Sequence, residues 1–304
     1  MNLLQLCGTL GFVKATAIAA LVAQASSQVT TASPGGAANA SIPAGTGQQT
    51  VELEGISLQV FTYQPTGCTV SGALLVFHGL ERNAEAYRDY TIQLGQRICM
   101  LVVAPLLDKT RFPTWRYQRG GIVGDDGSVQ PPESWTVNLV PRLVSWIRHK
   151  QARADLPYSL IGHSAGAQFL SRVAACVGDG ATQTVIANPS TWVRPSLDIA
   201  APYGFKGISD RAWGETALRR YLATKITVLL GQEDVGSRNL ATSEEAEEQG
   251  STRFERGQNV FQEAGAAARR NGWAFNWRLA VVPGVGHSAR IMFGSDQALI
   301  ALRP

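Results

Sequence analysis

The sequence predicts an α/β domain, a mostly parallel eight-stranded sheet with helices on both faces. Three observations predict it. After Val51, short apolar runs alternate with longer stretches of helical spacing, which is the signature of repeated strand–helix units. Most of the runs are continuous rather than alternating, as in strands covered on both faces. One junction, YSLIGHSAGAQF, carries a strand straight into a helix through a glycine-rich turn.

In chain order, Val51–Leu53 and Ile56–Tyr63, parted by Glu54 and Gly55, read as an antiparallel opening hairpin. The strands expected next are Gly72–Phe77, Ile98–Ala104, Tyr158–Ile161, Thr184–Ala187, Ile226–Leu230 and Phe275–Val281. Helices are expected over Ala84–Arg97, Trp135–Lys150, Ala165–Cys176 and Phe254–Asn271; in the second, Val137, Val140, Val144 and Ile147 recur at helical spacing.

The chain has 304 residues, 45% of them hydrophobic and 16% charged. That excludes a disordered or collagen-like chain and fits one large domain. The formal charge is +4, but the basic residues are scattered without a run of four. Nucleic acid is therefore not an expected partner.

Residues 1–25 read as a signal peptide: Lys14, then an apolar stretch from Ala15 to Ala23, then Ala23-Gln24-Ala25 as a cleavage site. Lys14 interrupts the apolar run, which argues against a membrane span; a signal anchor is the alternative. Residues 26–50, uncharged and without aromatics, are expected to be a flexible linker, and residues 51–304 the α/β domain. A secreted or periplasmic protein is expected, with no membrane span in the mature chain. No Cys/His spacing resembles a zinc site.

The chemistry starts at Gly162-His163-Ser164-Ala165-Gly166. A G-x-S-x-G turn between a strand and a helix lifts the serine hydroxyl above the sheet, and the Ala165 N–H at the helix start points to the same place. A serine hydroxyl needs a base, and the base an orienting carboxylate. Of the four histidines, His163 belongs to the turn, His149 lies in a solvated helix end, and His78 shapes a loop. His287, in the glycine-rich loop after the last strand, is the expected base. Asp234, just beyond Ile226–Leu230, is the expected acid, with Glu233 beside it and Asp210 as alternatives; the chain order Ser164, Asp234, His287 suits this arrangement.

From Val51 onward these residues resemble the α/β-hydrolases. Phe77-His78-Gly79-Leu80 looks like that family's oxyanion loop, which implies that the Leu80 N–H joins Ala165. Within the family, HGLERNAEAYRDY, GHSAGAQF, ANPSTW and VPGVGH resemble secreted bacterial esterases related to polyhydroxyalkanoate depolymerases and feruloyl esterases. The resemblance implies a serine hydrolase that cleaves carboxylic esters through an acyl-enzyme, acting on a small ester or a polyester, with no cofactor and no metal. Acyl transfer or peptide cleavage would use the same three residues, and a non-catalytic binding protein is the alternative of a different class. In such a sheet the strands that follow Cys68 and contain Cys99 are neighbours, so these cysteines are expected to pair, with Cys176 the competing partner. Trp115 and Trp192, in loops leaving carboxyl ends of strands, are candidates for the substrate wall; the same positions equally suit rings that seal loops onto the core.

Overall fold

The computed structural model describes residues 41–178 and 180–303, so the signal segment and residues 26–40 of the expected linker lie outside it. The chain opens with β1 (Gly45–Leu53) and β2 (Ile56–Gln64), an antiparallel hairpin in unbroken register from Gly45↔Gln64 to Leu53↔Ile56. Glu54 and Gly55 turn it with φ of 49° and 84°, the paired positive values of the tight turn that matches strand twist. Strand β1 thus begins within the expected linker. Its start, GTGQQT, is largely solvent-facing and pairs only with β2, so backbone pairing at a sheet edge holds it without an apolar pattern.

The remaining elements are β3 (Gly72–Phe77), α1 (Ala84–Tyr90), α2 (Ile92–Ile98), β4 (Met100–Pro105), α3 (Leu139–Lys150), β5 (Tyr158–His163), α4 (Ala165–Cys176), β6 (Thr184–Ala187), α5 (Arg211–Ala223), β7 (Ile226–Gly231), α6 (Glu244–Glu247), α7 (Arg253–Asn271), β8 (Arg278–Val282), α8 (Ala289–Gly294) and α9 (Asp296–Leu302). The eight strands form one sheet in the order β1-β2-β4-β3-β5-β6-β7-β8, parallel from β4 to β8. Alternate residues of each buried strand serve opposite layers. Leu75, Leu160, Ile186 and Val228 pack with α3, α4, α5 and α7. Leu74, Ile161, Val185 and Leu229 pack with α1, α2, α8 and α9. With both faces covered, the parallel strands read as continuous apolar runs.

Several boundaries differ from expectation for local reasons. The helix expected over Ala84–Arg97 breaks at Thr91, whose hydroxyl donates to the Tyr87 and Arg88 carbonyls and so competes with the backbone ladder. Ile98 closes α2, and Cys99 takes a left-handed conformation with φ 54°, so β4 starts at Met100. The helix expected from Trp135 begins at Leu139, preceded by two single 3₁₀ turns. Helix α5 has no counterpart among the expected helices; Asp210 caps it, its carboxylate accepting from the Trp213 N–H at 2.8 Å. The strand expected from Phe275 starts at Arg278.

Cys68 and Cys99 form a disulfide with a Cα–Cα distance of 6.2 Å. It ties the chain entering β3 to the chain entering β4 at the amino-terminal edge of the sheet. Cys176 is a buried free thiol whose pKa burial pushes up to about 12.

Candidate active site

Strand β5 ends at His163, and the chain reverses at Ser164 with φ 57° and ψ −113°, outside the ordinary regions for a residue with a side chain. The turn is held from both sides. The Ser164 N–H donates to the Ala187 carbonyl at 3.0 Å. Gly162 and Gly166 permit the strand and helix to close on each other: a Cβ on Gly162 would lie 2.7 Å from the Gly166 carbonyl, and one on Gly166 would collide with the Phe77 carbonyl. The Ser164 side chain is consequently presented at the carboxyl edge of the sheet, with Ala165 opening α4 directly behind it.

His287 and Asp234 arrive from the loops that follow β8 and β7. The Ser164 hydroxyl lies 3.0 Å from His287 Nε2, and His287 Nδ1–H donates to Asp234 Oδ2 at 2.6 Å. A carboxylate only accepts, so this contact fixes the tautomer that leaves Nε2 free to accept from Ser164. The Asp234 side chain is 1% exposed and that of His287 31%, which leaves one end of the chain of contacts dry and the other reachable from solvent. Glu233 is exposed and makes no hydrogen bond to His287, and Asp210 is at the cap of α5.

His78 and His163 are buried, in distinct surroundings. His78 Nδ1–H donates to the Gly79 carbonyl, and its Nε2 accepts from the Leu107 N–H at 3.1 Å; burial lowers its pKa to about 4. This neutral ring pins the loop bearing Leu80. His163 lies ring to ring with His287, centroids 4.5 Å apart, and its Nδ1 is 3.3 Å from the Tyr87 hydroxyl. Burial holds its pKa well below the usual imidazole value.

A depression of about 240 Å³ opens over Ser164, and Leu80, Asn83, Tyr90, Asn239 and Arg290 are among its lining. Neither expected tryptophan lines it. Trp192 is fully buried in the core. The polar residues just before Trp192 face inward as well: Asn188 Oδ1 accepts from the Gly231 N–H, the Thr191 hydroxyl donates to Gln168 Oε1, and the Ser190 carbonyl accepts from Arg256. Trp115 is half-buried beside the Arg116 guanidinium, 5.4 Å from its ring centroid. Trp115 and Trp192, the candidates for a substrate wall, thus lie away from the depression over Ser164, where Tyr87 and Tyr90 are the aromatic side chains of the lining.

Sequence reasoning also missed Arg253, whose guanidinium lies 3.5 Å from Asp234 Oδ1 with both side chains 1% exposed. Nothing in the run RFERGQNVF distinguishes it from the solvated arginines of an amphipathic helix. Among the described residues no group of His, Cys, Asp and Glu is placed to hold a metal ion, and no helix is long and apolar enough to cross a membrane.

No family model matches the sequence, and no curated protein matches it. Solved structures do. LpqC, a poly(3-hydroxybutyrate) depolymerase from Bordetella parapertussis, is 30% identical over 85% of this chain and 90% of its own, with a TM-score of 0.78. Poly(aspartic acid) hydrolase-1 from Sphingomonas sp. KT-1 is 29% identical over 85% of this chain and 99% of its own, with a TM-score of 0.79. A thermostable esterase, 10% identical over 84% of this chain and 61% of its own at a TM-score of 0.54, shares the fold alone. The chain belongs to the α/β-hydrolases, among their depolymerase-like serine ester hydrolases.

Proposed function

We propose that Ser164, His287 and Asp234 act as a catalytic triad that cleaves esters of hydroxyalkanoic acids through an acyl-enzyme. The observation that carries this reading is the continuous chain of contacts, 3.0 Å from Ser164 to His287 and 2.6 Å from His287 to Asp234. As the Ser164 oxygen attacks the ester carbonyl carbon, its proton passes to His287 Nε2, and the buried Asp234 carboxylate stabilises the imidazolium that forms. The N–H groups of Ala165 and Leu80 are assigned to the carbonyl oxygen as it takes on negative charge. His287 then returns the proton to the departing alkoxide, and water, activated by the same imidazole, releases the acid and restores Ser164.

The depression over Ser164 is open and lined by both polar and apolar groups, and the base is part-exposed, which suits a segment of a short oligoester laid across the surface. The likeness to a poly(3-hydroxybutyrate) depolymerase supports the same class. We assign residues 1–25 to a signal peptide, and the Cys68–Cys99 disulfide supports an oxidising, extracytoplasmic destination.

The test is a panel of purified-enzyme assays: 3-hydroxybutyrate dimer and trimer, aryl esters of short acids, a feruloyl ester and poly(aspartic acid). The expected result is the highest kcat/KM on the hydroxybutyrate oligomers, and loss of about 10⁴-fold or more in Ser164→Ala. Hydrolysis of the amide polymer ahead of every ester would overturn the substrate class, and an active Ser164→Ala the mechanism.

A further inference from the structure

We propose that Arg253 is a positioning residue for the reaction, a buried cation that holds Asp234 in place and sets the pH range over which His287 works. The inference rests on the triad reading given above and extends it to a residue outside the triad. Its ground is a division of labour on one carboxylate. Asp234 Oδ2 accepts from His287 Nδ1–H, and Oδ1 faces Arg253 Nη1 at 3.5 Å. With one oxygen engaged, a carboxylate can swing about its last torsion. With each oxygen held from a different side, the plane of the group is fixed, and with it the direction in which His287 is held.

Arg253 is itself held. It is the first residue of α7, its Nη2 donates to the Arg238 carbonyl at 2.6 Å, and its Nη1 reaches the Gly236 carbonyl at 3.3 Å. The guanidinium therefore joins Asp234 to the loop that follows it, the loop from which Asn239 lines the depression. The backbone adds a parallel contact, the Phe254 N–H donating to the Asp234 carbonyl at 3.3 Å. A planar fork with several donors makes these contacts from one position, which a lysine ammonium does not.

Stability alone does not account for the pair. Two charges at 1% exposure lose more hydration than their attraction returns, and apolar replacements of such pairs are commonly neutral or stabilising. Asp234, however, must stay dry and fixed in direction to serve His287, and a buried guanidinium at its second oxygen does both. That cation also opposes the positive charge that forms on His287. The other ionisable groups around the pair include His163 from β5, kept neutral by burial, Tyr87 from α1, Glu233 from the same loop, the buried Arg256 of α7, whose guanidinium donates to the Gly250 and Ser190 carbonyls, and Glu81, Tyr90 and Arg290 at the depression. Glu81, Glu233 and Arg290 are exposed and screened by solvent. Arg253 is the buried cation in contact with the carboxylate that holds His287. Removing it makes the imidazolium more stable, and the acid limb of the pH–rate profile moves to higher pH.

The experiment compares wild type, Arg253→Gln, Arg253→Lys, Asp234→Asn and the double variant Asp234→Asn/Arg253→Gln on one soluble ester, with kcat and KM recorded across pH and folding checked by circular dichroism. Arg253→Gln is expected to lower kcat about ten- to a hundredfold with KM little changed, and to move the acid limb up by roughly half to one pH unit. Arg253→Lys is expected to return the limb to its wild-type position, because the charge is restored, while kcat recovers only in part. In the Asp234→Asn background, Arg253→Gln is expected to have little further effect. A folded Arg253→Gln with an unmoved limb, or with the same loss in both backgrounds, overturns the proposal. Should Arg253→Gln fail to fold, Arg253→Lys decides: an acid limb displaced despite the retained charge overturns it. An Asp234→Asn enzyme of near wild-type activity would instead defeat the triad reading itself.

Discussion

His163 and His287 lie ring to ring with centroids 4.5 Å apart, yet only His287 touches Ser164. His163 is buried, neutral and in reach of the Tyr87 hydroxyl, so it offers His287 an uncharged ring to pack against, tilted by 40°. A second charge there would oppose the imidazolium that forms on His287 in the proposed reaction. His163→Ala is expected to lower kcat about tenfold through a loosened His287, and to cost about 2 kcal/mol of stability through the cavity it leaves. Steady-state kinetics beside a thermal melt check both, and unchanged kcat would show that the contact positions nothing.

Trp192 belongs to the core. Its side chain is fully buried, and its main-chain N–H donates to Gln249 Oε1 at 2.8 Å. Trp192→Ala should cost about 3–5 kcal/mol with KM across the ester panel unchanged. Denaturant unfolding and kinetics on the same preparation measure the two quantities together.

The disulfide and the site occupy opposite edges of the sheet, since Cys68 and Cys99 precede β3 and β4 while Ser164 follows β5. Reduction, or Cys68→Ser with Cys99→Ser, should therefore cost about 3 kcal/mol and leave kcat/KM near wild type. Melting with and without reductant, paired with activity of the folded reduced protein, checks it.

Acid should destabilise the protein before carboxylates are titrated. His78 takes up its second proton only with a pKa of about 4 in the folded state, against the ordinary imidazole value of 6.5, and His163 is shifted in the same direction. Between these two values the unfolded chain binds more protons than the folded one, so stability is present above pH 6.5 and falls as pH is lowered toward 4. The slope is up to about 1.4 kcal/mol per pH unit for each such histidine. Urea midpoints between pH 7 and 4.5 should fall accordingly, and fall less steeply in His78→Gln.

What the sequence makes legible is local. The junction at Ser164 can be read because a strand, two glycines and a helix must meet there within a few residues. The loops bearing Asp234 and His287 can be read because each directly follows an apolar run. The order of the parallel strands follows from their continuous apolar pattern only through the family resemblance. Contacts between distant segments cannot be read in this way. Asn188, Ser190 and Thr191 look like a solvated rim, but their partners are Gly231, Ala241, Arg256, Gln168 and Arg172, all supplied by other elements. The outer half of β1 is hidden for the opposite reason, since an edge strand with solvent-facing Thr and Gln side chains has no apolar rhythm to display. Arg253 combines both difficulties, a charged residue in an amphipathic helix whose meaning depends on Asp234 arriving from β7.

The central claim is that Ser164 is a nucleophile activated by His287. Its most direct test is labelling with a fluorophosphonate followed by peptide mapping. One adduct is expected, on Ser164, forming quickly in the wild type and far more slowly in His287→Ala, with none in Ser164→Ala. An adduct on another serine, or a folded wild-type enzyme that takes up no label, would contradict the account.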